Sequence, residues 1–536
     1  MRDIPTLPET RPIRQTPAIH PNSRAFIAPP TRKSNDTILT VLILITVLGL
    51  TPILVFVGTT FSFGLLLGCL VALAVSLIVA RWPVAGFYII GICVTLVEQS
   101  ALTYPIFTDR LNVFYWPPSL EGLIERPIGF LMLLILLVTI LQRLSRREKI
   151  LSGGSLFWPF LLFLLSVAWG VFHGLSGGGN VKIIVVEVRP FWYLFMSYII
   201  ACNLVTKKKH VRNFFWIVIV DAGIKGLQGT YIYLFVLHSK IEGLNEIMSH
   251  EESFFFVALI LLIILFSLHS CYRPQLYAAL ATLPFLLISL VANNRRADYV
   301  ALLVGAMVAW ALIFMVKPRA RKGLAIGMII FLIVGGAYVV AFAHSTGGLG
   351  GPARAILSIV NPSSADARDA SSNLYRIIED YDLKYTVKQN LLGMGFGRPF
   401  LEPILLPDIS GLDQYYNYVP HNTVYWVWMR LGPLGYFALW FLIGSIIIRG
   451  SQIARKLRDR YLQLVAIYIV AITFMEVVVA YADYQFFFYR NVIYLGLLVG
   501  ILVKLSALDK GKEQTVHEAS HGVPQFAVPG VGSQRP

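Results

Sequence analysis

Fourteen apolar runs divide the chain, near residues 37 to 58, 61 to 80, 83 to 99, 123 to 142, 155 to 172, 183 to 205, 213 to 237, 253 to 270, 276 to 293, 298 to 316, 323 to 343, 422 to 449, 461 to 481 and 492 to 506. A helix needs about 17 to 25 such residues to cross a bilayer, and most of the runs reach that length. In lipid each backbone polar group must be satisfied within its own helix or in a closed barrel, which leaves few folds open. The sequence therefore predicts an all-α, polytopic integral membrane protein of about 12–14 transmembrane helices, with a large extracytoplasmic loop before the last three.

Composition agrees with that reading. Hydrophobic residues make up 56% of the chain and charged ones only 14%, where soluble domains carry about a quarter charged residues. A formal charge of +16 raises the question of nucleic acid. Most Lys and Arg, however, fall in short loops beside apolar runs, where they set orientation, so no nucleic-acid partner is expected. The four cysteines, Cys69, Cys93, Cys202 and Cys271, lie within or at the ends of apolar runs without CxxC spacing, and show no metal or disulfide framework.

Residues 1–36 are Pro-rich and basic and lack a signal-peptide core, which predicts a disordered cytoplasmic tail. Membrane helices follow over 37–343, then an extracytoplasmic loop with a short helix over 344–421, the last three membrane helices over 422–506, and a second disordered cytoplasmic tail over 507–536. With the first tail inside, the basic stretches at 143–149, 206–212, 317–322 and 449–460 all fall inside as well, the distribution that the positive-inside rule requires.

The exceptions to this charge pattern mark the chemistry. Arg189 lies within a run that starts outside, about 10 Å below the outer mouth when counted from Lys182. An arginine at that depth faces a bundle interior or an aqueous cavity, and Pro190 after it favours a kink. It is read either as an anion-binding group or as a structural partner of Glu187, Glu98 or Glu476. Asn293-Asn294-Arg295-Arg296 also falls outside. In the long loop, residues 371–392 place Leu374, Ile377, Ile378 and Tyr381 at helical spacing behind a serine cap, and GMGFG at 393–397 ends the helix. Asp380-Tyr381-Asp382 has the form of a metal-binding DxD, but equally of a solvated helix face, with Arg376 pairing to Asp380 across one turn. Tyr416–Gly444 then brings Pro420-His421-Asn422 to the mouth of an apolar run. His421 is read either as a catalytic histidine or as part of an interfacial belt with Tyr425, Trp426 and Trp428.

The order of these features resembles the O-antigen ligase and polymerase superfamily of integral membrane glycan transferases. Carrying the likeness are Arg189-Pro190, NNRRA before an apolar helix, a long loop with S-x-x-x-R and GxGxG, and PHN leading into a helix with LGPLG; it spans roughly residues 155–506. Where such helices often have Glu before LG, this chain has Met429-Arg430-Leu431-Gly432, so no function of that acid carries over. The resemblance implies transfer of an undecaprenyl-diphosphate-linked glycan to an acceptor hydroxyl at the outer face of a bacterial inner membrane, in surface polysaccharide biosynthesis. The acceptor would be a glycan or a lipid-anchored core sugar. A protein hydroxyl as acceptor is the alternative within the same fold, and a polysaccharide or lipid transporter the alternative outside it.

That chemistry assigns roles. A departing diphosphate needs cations, and guanidinium forks match phosphate oxygens, so Arg189, Arg296 and Arg376 are the expected clamps, with Arg296 preferred to its neighbour Arg295. An acceptor hydroxyl must lose its proton, and histidine titrates near working pH, which makes His421 the expected general base. Asn422 is expected to orient the ring or to cap the helix. Neither a metal nor another cofactor is called for.

Overall fold

The computed structural model describes residues 63–99, 104, 108, 111, 113–115, 125–240, 246–269, 271–345, 350–360, 367–409 and 414–521. The apolar run at 37–58, the tail at 1–36 and the chain after residue 521 lie outside them. Among the described residues every regular element is helical. In chain order these are α1 (Phe63–Arg81), α2 (Pro83–Leu96), α3 (Pro127–Ser145), α4 (Phe157–Ser176), α5 (Val181–Leu204), α6 (Lys208–Tyr231), α7 (His250–His269), α8 (Arg273–Asn293), α9 (Arg296–Val316) and α10 (Arg321–Phe342). Two loop helices follow, α11 (Gly351–Val360) and α12 (Ala367–Gln389), then α13 (Thr423–Lys456), α14 (Arg460–Ala480) and α15 (Tyr489–His521).

Ten of the described helices are long and apolar enough to cross a membrane, namely α3 to α5, α7 to α10 and α13 to α15. The expected run at 213–237 is α6, continued by a π-turn over Ile232–Val236; it carries buried Asp221 and Lys225 and is too polar to be counted by composition. α15 continues to His521, beyond the apolar run that ends at 506.

Polar contacts sort the helix ends into two faces. At one, Lys208 meets Asp459 at 2.5 Å, Gln275 donates to the Arg212 carbonyl, Arg143 donates to Asn203 and Lys317 donates to the Leu268 carbonyl. The basic stretches therefore share an end. At the opposite face, the mouth, the Asn180 amide donates to the Gly397 carbonyl at 2.8 Å, Arg295 meets Asp483, and the Tyr489 amide donates to Gln99. The long loop sits there.

Small residues let the central helices approach closely. A Cβ at Gly496 would lie 2.0 Å from Ser197 Oγ, and one at Gly500 2.5 Å from the Ala201 Cβ, so α15 packs backbone to backbone on α5. Gly-x-x-x-Gly spacing serves this end in membranes, where dispersion rather than the hydrophobic effect holds helices together.

Candidate functional site

The mouth is organised by α12, whose start and orientation were not legible from its apolar spacing. The helix begins at Ala367 rather than behind a cap at Ser371. Leu374, Ile377 and Tyr381 are 58%, 66% and 51% exposed, whereas Glu379 and Asp382 are buried. The apolar residues of its first half stay out, while Glu379 and Asp382 go down beside Leu383 and Val387, and Glu379 finds its partner there.

The chief of these partners is His421. Glu379 accepts from the His421 backbone amide at 3.0 Å, and its carboxylate lies 3.1 Å from Nδ1. A carboxylate only accepts, so Nδ1 is the donor, and in the neutral ring Nε2 keeps its lone pair. Tyr484 tilts against the ring with centroids 4.5 Å apart, and Tyr375 meets it edge-on at 5.6 Å. The His421 side chain keeps 17% exposure while Glu379 keeps 1%, so a buried acid holds a ring that solvent still reaches.

Asn422 caps α13: its side-chain oxygen accepts from the Tyr425 amide at 3.2 Å while its Nδ2 donates to Asp380 at 3.2 Å. Burial raises the Asp380 carboxyl above its ordinary range, and the Asn422 hydrogen bond opposes this. Asp382 turns elsewhere, accepting from the Ile404 amide, so the two DxD carboxylates serve separate parts of the chain. Among the described residues no ion pair joins Asp380 to Arg376, although the Arg376 charge still favours the ionised carboxylate. Among the described residues no group of three His, Cys, Asp or Glu side chains is placed to hold a metal ion.

GMGFG is a packing device. Gly393, Gly395 and Gly397 all have φ between 76 and 86°, backbone that side chains resist, and the loop threads between α4, α5 and α13. The Met394 amide donates to the Met429 carbonyl, the Phe396 amide to the Gly170 carbonyl and the Gly397 amide to Glu187. Arg430 completes it. Its guanidinium meets Glu187 at 2.6 Å and donates to the carbonyls of Gly395, Arg398 and Tyr418, and both charged side chains are fully buried. Next to it Gly432 (φ 67°, ψ −169°) interrupts α13, so the expected span at 422–449 is divided. Residues 433–456 at 1.5 Å each reach about 36 Å, enough for a hydrocarbon core of about 30 Å. Residues 423–431, about two and a half turns of helix after PHN, are therefore surplus to the crossing and available to shape the mouth.

The expected arginines fall into two groups. Arg296, Arg376 and His421 come together around α12: Arg296 donates to Asn373 at 3.0 Å, and Arg376 feels the charges of Asp483, Arg295, Arg296 and Glu379. Burial pushes the Arg376 guanidinium down from its usual range. Arg295 is engaged, meeting Asp483 and lying against His250. Arg189 stands in α5, which runs helically through Pro190, and donates to the Tyr489 hydroxyl at 3.0 Å. Its three expected partners are occupied, Glu187 by Arg430, Glu98 by Lys225 and Glu476 by Gln485.

The segment between α14 and α15 joins the two groups, and the sequence reading assigned it nothing. Asp483 takes Arg295, Tyr484 packs on His421, Phe487 lies edge-on to Trp426 at 6.4 Å, and Tyr489 takes Arg189. Burial works against ionisation of Asp483, yet Arg295 and His250 hold its carboxyl well below the usual range. The run YADYQFFFY at 481–489 was the available signal, an aromatic-rich turn with one acid between two apolar helices. Deeper, Glu98, Lys225, Glu252 and Arg490 form a buried charge chain, also unassigned from sequence.

Residues 279–441 match the family described as O-antigen ligase, so that the stretch from α8 through the loop and PHN into α13 is similar to that family. Arg189 and Glu187 lie outside the matched residues. No curated protein matches the chain.

Proposed function

From that likeness we propose that the protein transfers a glycan from a lipid diphosphate, of the undecaprenyl type, to a sugar hydroxyl, as an O-antigen ligase or polymerase does. The mouth faces the outside of a bacterial inner membrane, where such a headgroup lies. The single observation that supports this reading best is the His421–Glu379 contact, which dedicates Nδ1 to the acid and leaves Nε2 as a base on a solvent-reached ring.

The acceptor oxygen attacks the anomeric carbon and gives its proton to His421 Nε2, a role worth about 10²- to 10⁴-fold. The bond from that carbon to the diphosphate oxygen breaks, and the leaving lipid diphosphate takes the electron pair. Arg296 and Arg376 at the rim, with Arg189 below, meet its charge through forked hydrogen bonds. Glu379 steadies the imidazolium as it forms. Because cations and base are all side chains of this chain, and the DxD carboxylates diverge, the reaction is proposed to run without a metal.

The test is transfer by purified protein in lipid vesicles from a lipid-diphosphate oligosaccharide. Product in excess EDTA, lost about 10²-fold or more in His421→Ala with donor binding retained, is the expected result. Activity that EDTA stops and His421→Ala spares would sink it. Asp382→Asn is expected to stay active.

A further inference from the structure

At the basic end, away from the mouth, a cavity of about 760 Å³ opens between α3, α4 and α5. Leu136, Trp158, Trp192, Phe195 and Ile199 give it an apolar wall, and among the described residues lining it Lys149 alone is charged. From Ile199 to Trp192 the groove follows α5 for about 10 Å, most of the roughly 15 Å thickness of one leaflet.

The loop that closes its basic end is held in a fixed shape. Asn203 accepts from the Ser152 amide at 2.8 Å and donates to the Ser152 carbonyl at 3.0 Å. Arg143 donates to the Asn203 side chain at 2.6 Å and to its carbonyl at 2.8 Å, and the Tyr198 hydroxyl donates to the Gly153 carbonyl. Before it, Arg147 sits at φ 55°, a left-handed conformation that a non-glycine residue keeps only where its surroundings enforce it. The turn carries Lys149 to the groove, where no protein acceptor meets its ammonium among the described residues.

We propose that this groove binds an anionic glycerophospholipid of the basic-side leaflet, an acyl chain lying between Trp158 and Trp192 and the phosphate at Lys149. Charge complementarity selects the occupant. Exposed Arg146 and Arg147 share the turn, while Glu148, its one acid, does not line the cavity. A zwitterionic lipid fills the apolar wall equally well but gains less from the lysine, which is worth about 1 kcal/mol beside an anionic headgroup.

The test counts bound lipid by native mass spectrometry after the purified protein, in neutral detergent, is offered equal amounts of phosphatidylglycerol and phosphatidylcholine. Wild type is expected to retain phosphatidylglycerol about fivefold over phosphatidylcholine, the ratio that corresponds to about 1 kcal/mol. Lys149→Ala is expected to lose the preference while keeping both lipids, and Leu136→Trp, which fills the groove, to lose both. Lys149 is exposed, so its variant remains readable even where the filled groove fails to assemble. Equal retention by wild type, an unchanged preference in Lys149→Ala, or a co-purified polyprenyl phosphate that phosphatidylglycerol cannot displace would each overturn the assignment.

Discussion

Glu379, in the middle of a loop helix, grips His421 twice, accepting from its backbone amide at 3.0 Å and facing its ring Nδ1 at 3.1 Å. One carboxylate thus sets both the position and the tautomer of the ring. Glu379→Gln keeps the shape and removes the charge, and is expected to lower kcat by about 10²-fold with KM for donor nearly unchanged. A purely structural role predicts instead a loss of folded protein with normal turnover in what remains.

The arginines should separate by fork chemistry. Alanine at Arg189, Arg296 or Arg376 is expected to abolish transfer in protein that still inserts, with lysine restoring activity only in part because a point charge lacks the planar fork. Full activity of all three alanine variants at normal abundance would remove the clamp from the proposal.

Arg430 and Glu187 make a different case, since neither reaches solvent. Arg430→Met leaves Glu187 without its charge partner and three carbonyls without their donor, and is expected to cost about 3–5 kcal/mol. Melting in detergent, followed by intrinsic fluorescence, should show a large drop in Tm for the single variant. The pair Glu187→Gln with Arg430→Met should recover part of it, whereas a single variant that melts like wild type contradicts the clamp on GMGFG.

Asp483 gives a pH dependence with a defined sign. Its carboxyl is held well below the usual range, so its contribution is fully present above the unfolded value of about 3.9 and is lost only as pH falls through the lower folded value. Asp483→Asn is therefore expected to be less stable than wild type by the same margin from pH 5 to pH 6, with the two converging below about pH 4 and the gap narrowing at alkaline pH as His250, which shares Asp483, loses its charge. A gap that closes between pH 5 and pH 7 would show that another group carries the effect.

Orientation is testable by labelling. In a cysteine-free background, Leu405→Cys at the mouth should react with an impermeant reagent from outside, and Gln452→Cys at the basic end should react only after the inner membrane is opened. The reverse pattern would place the mouth in the cytoplasm.

The sequence alone determined the membrane class, the helical fold and the grouping of basic loops at one end, and it singled out His421, Arg189, Arg296 and Arg376 as candidates. Hydropathy and charge asymmetry are local properties, and lipid enforces them residue by residue. Which face α12 buries was decided by tertiary structure, because apolar periodicity identifies a buried face only where the surface beneath is apolar, and here Glu379 and Asp382 go down while Leu374 and Ile377 stay out. The same holds for Glu379 on His421, Tyr484 on the ring, Asp483 on Arg295 and Glu187 on Arg430. Each of these pairs joins segments distant in the chain, and a buried charge leaves no local sign of which partner the fold will bring to it.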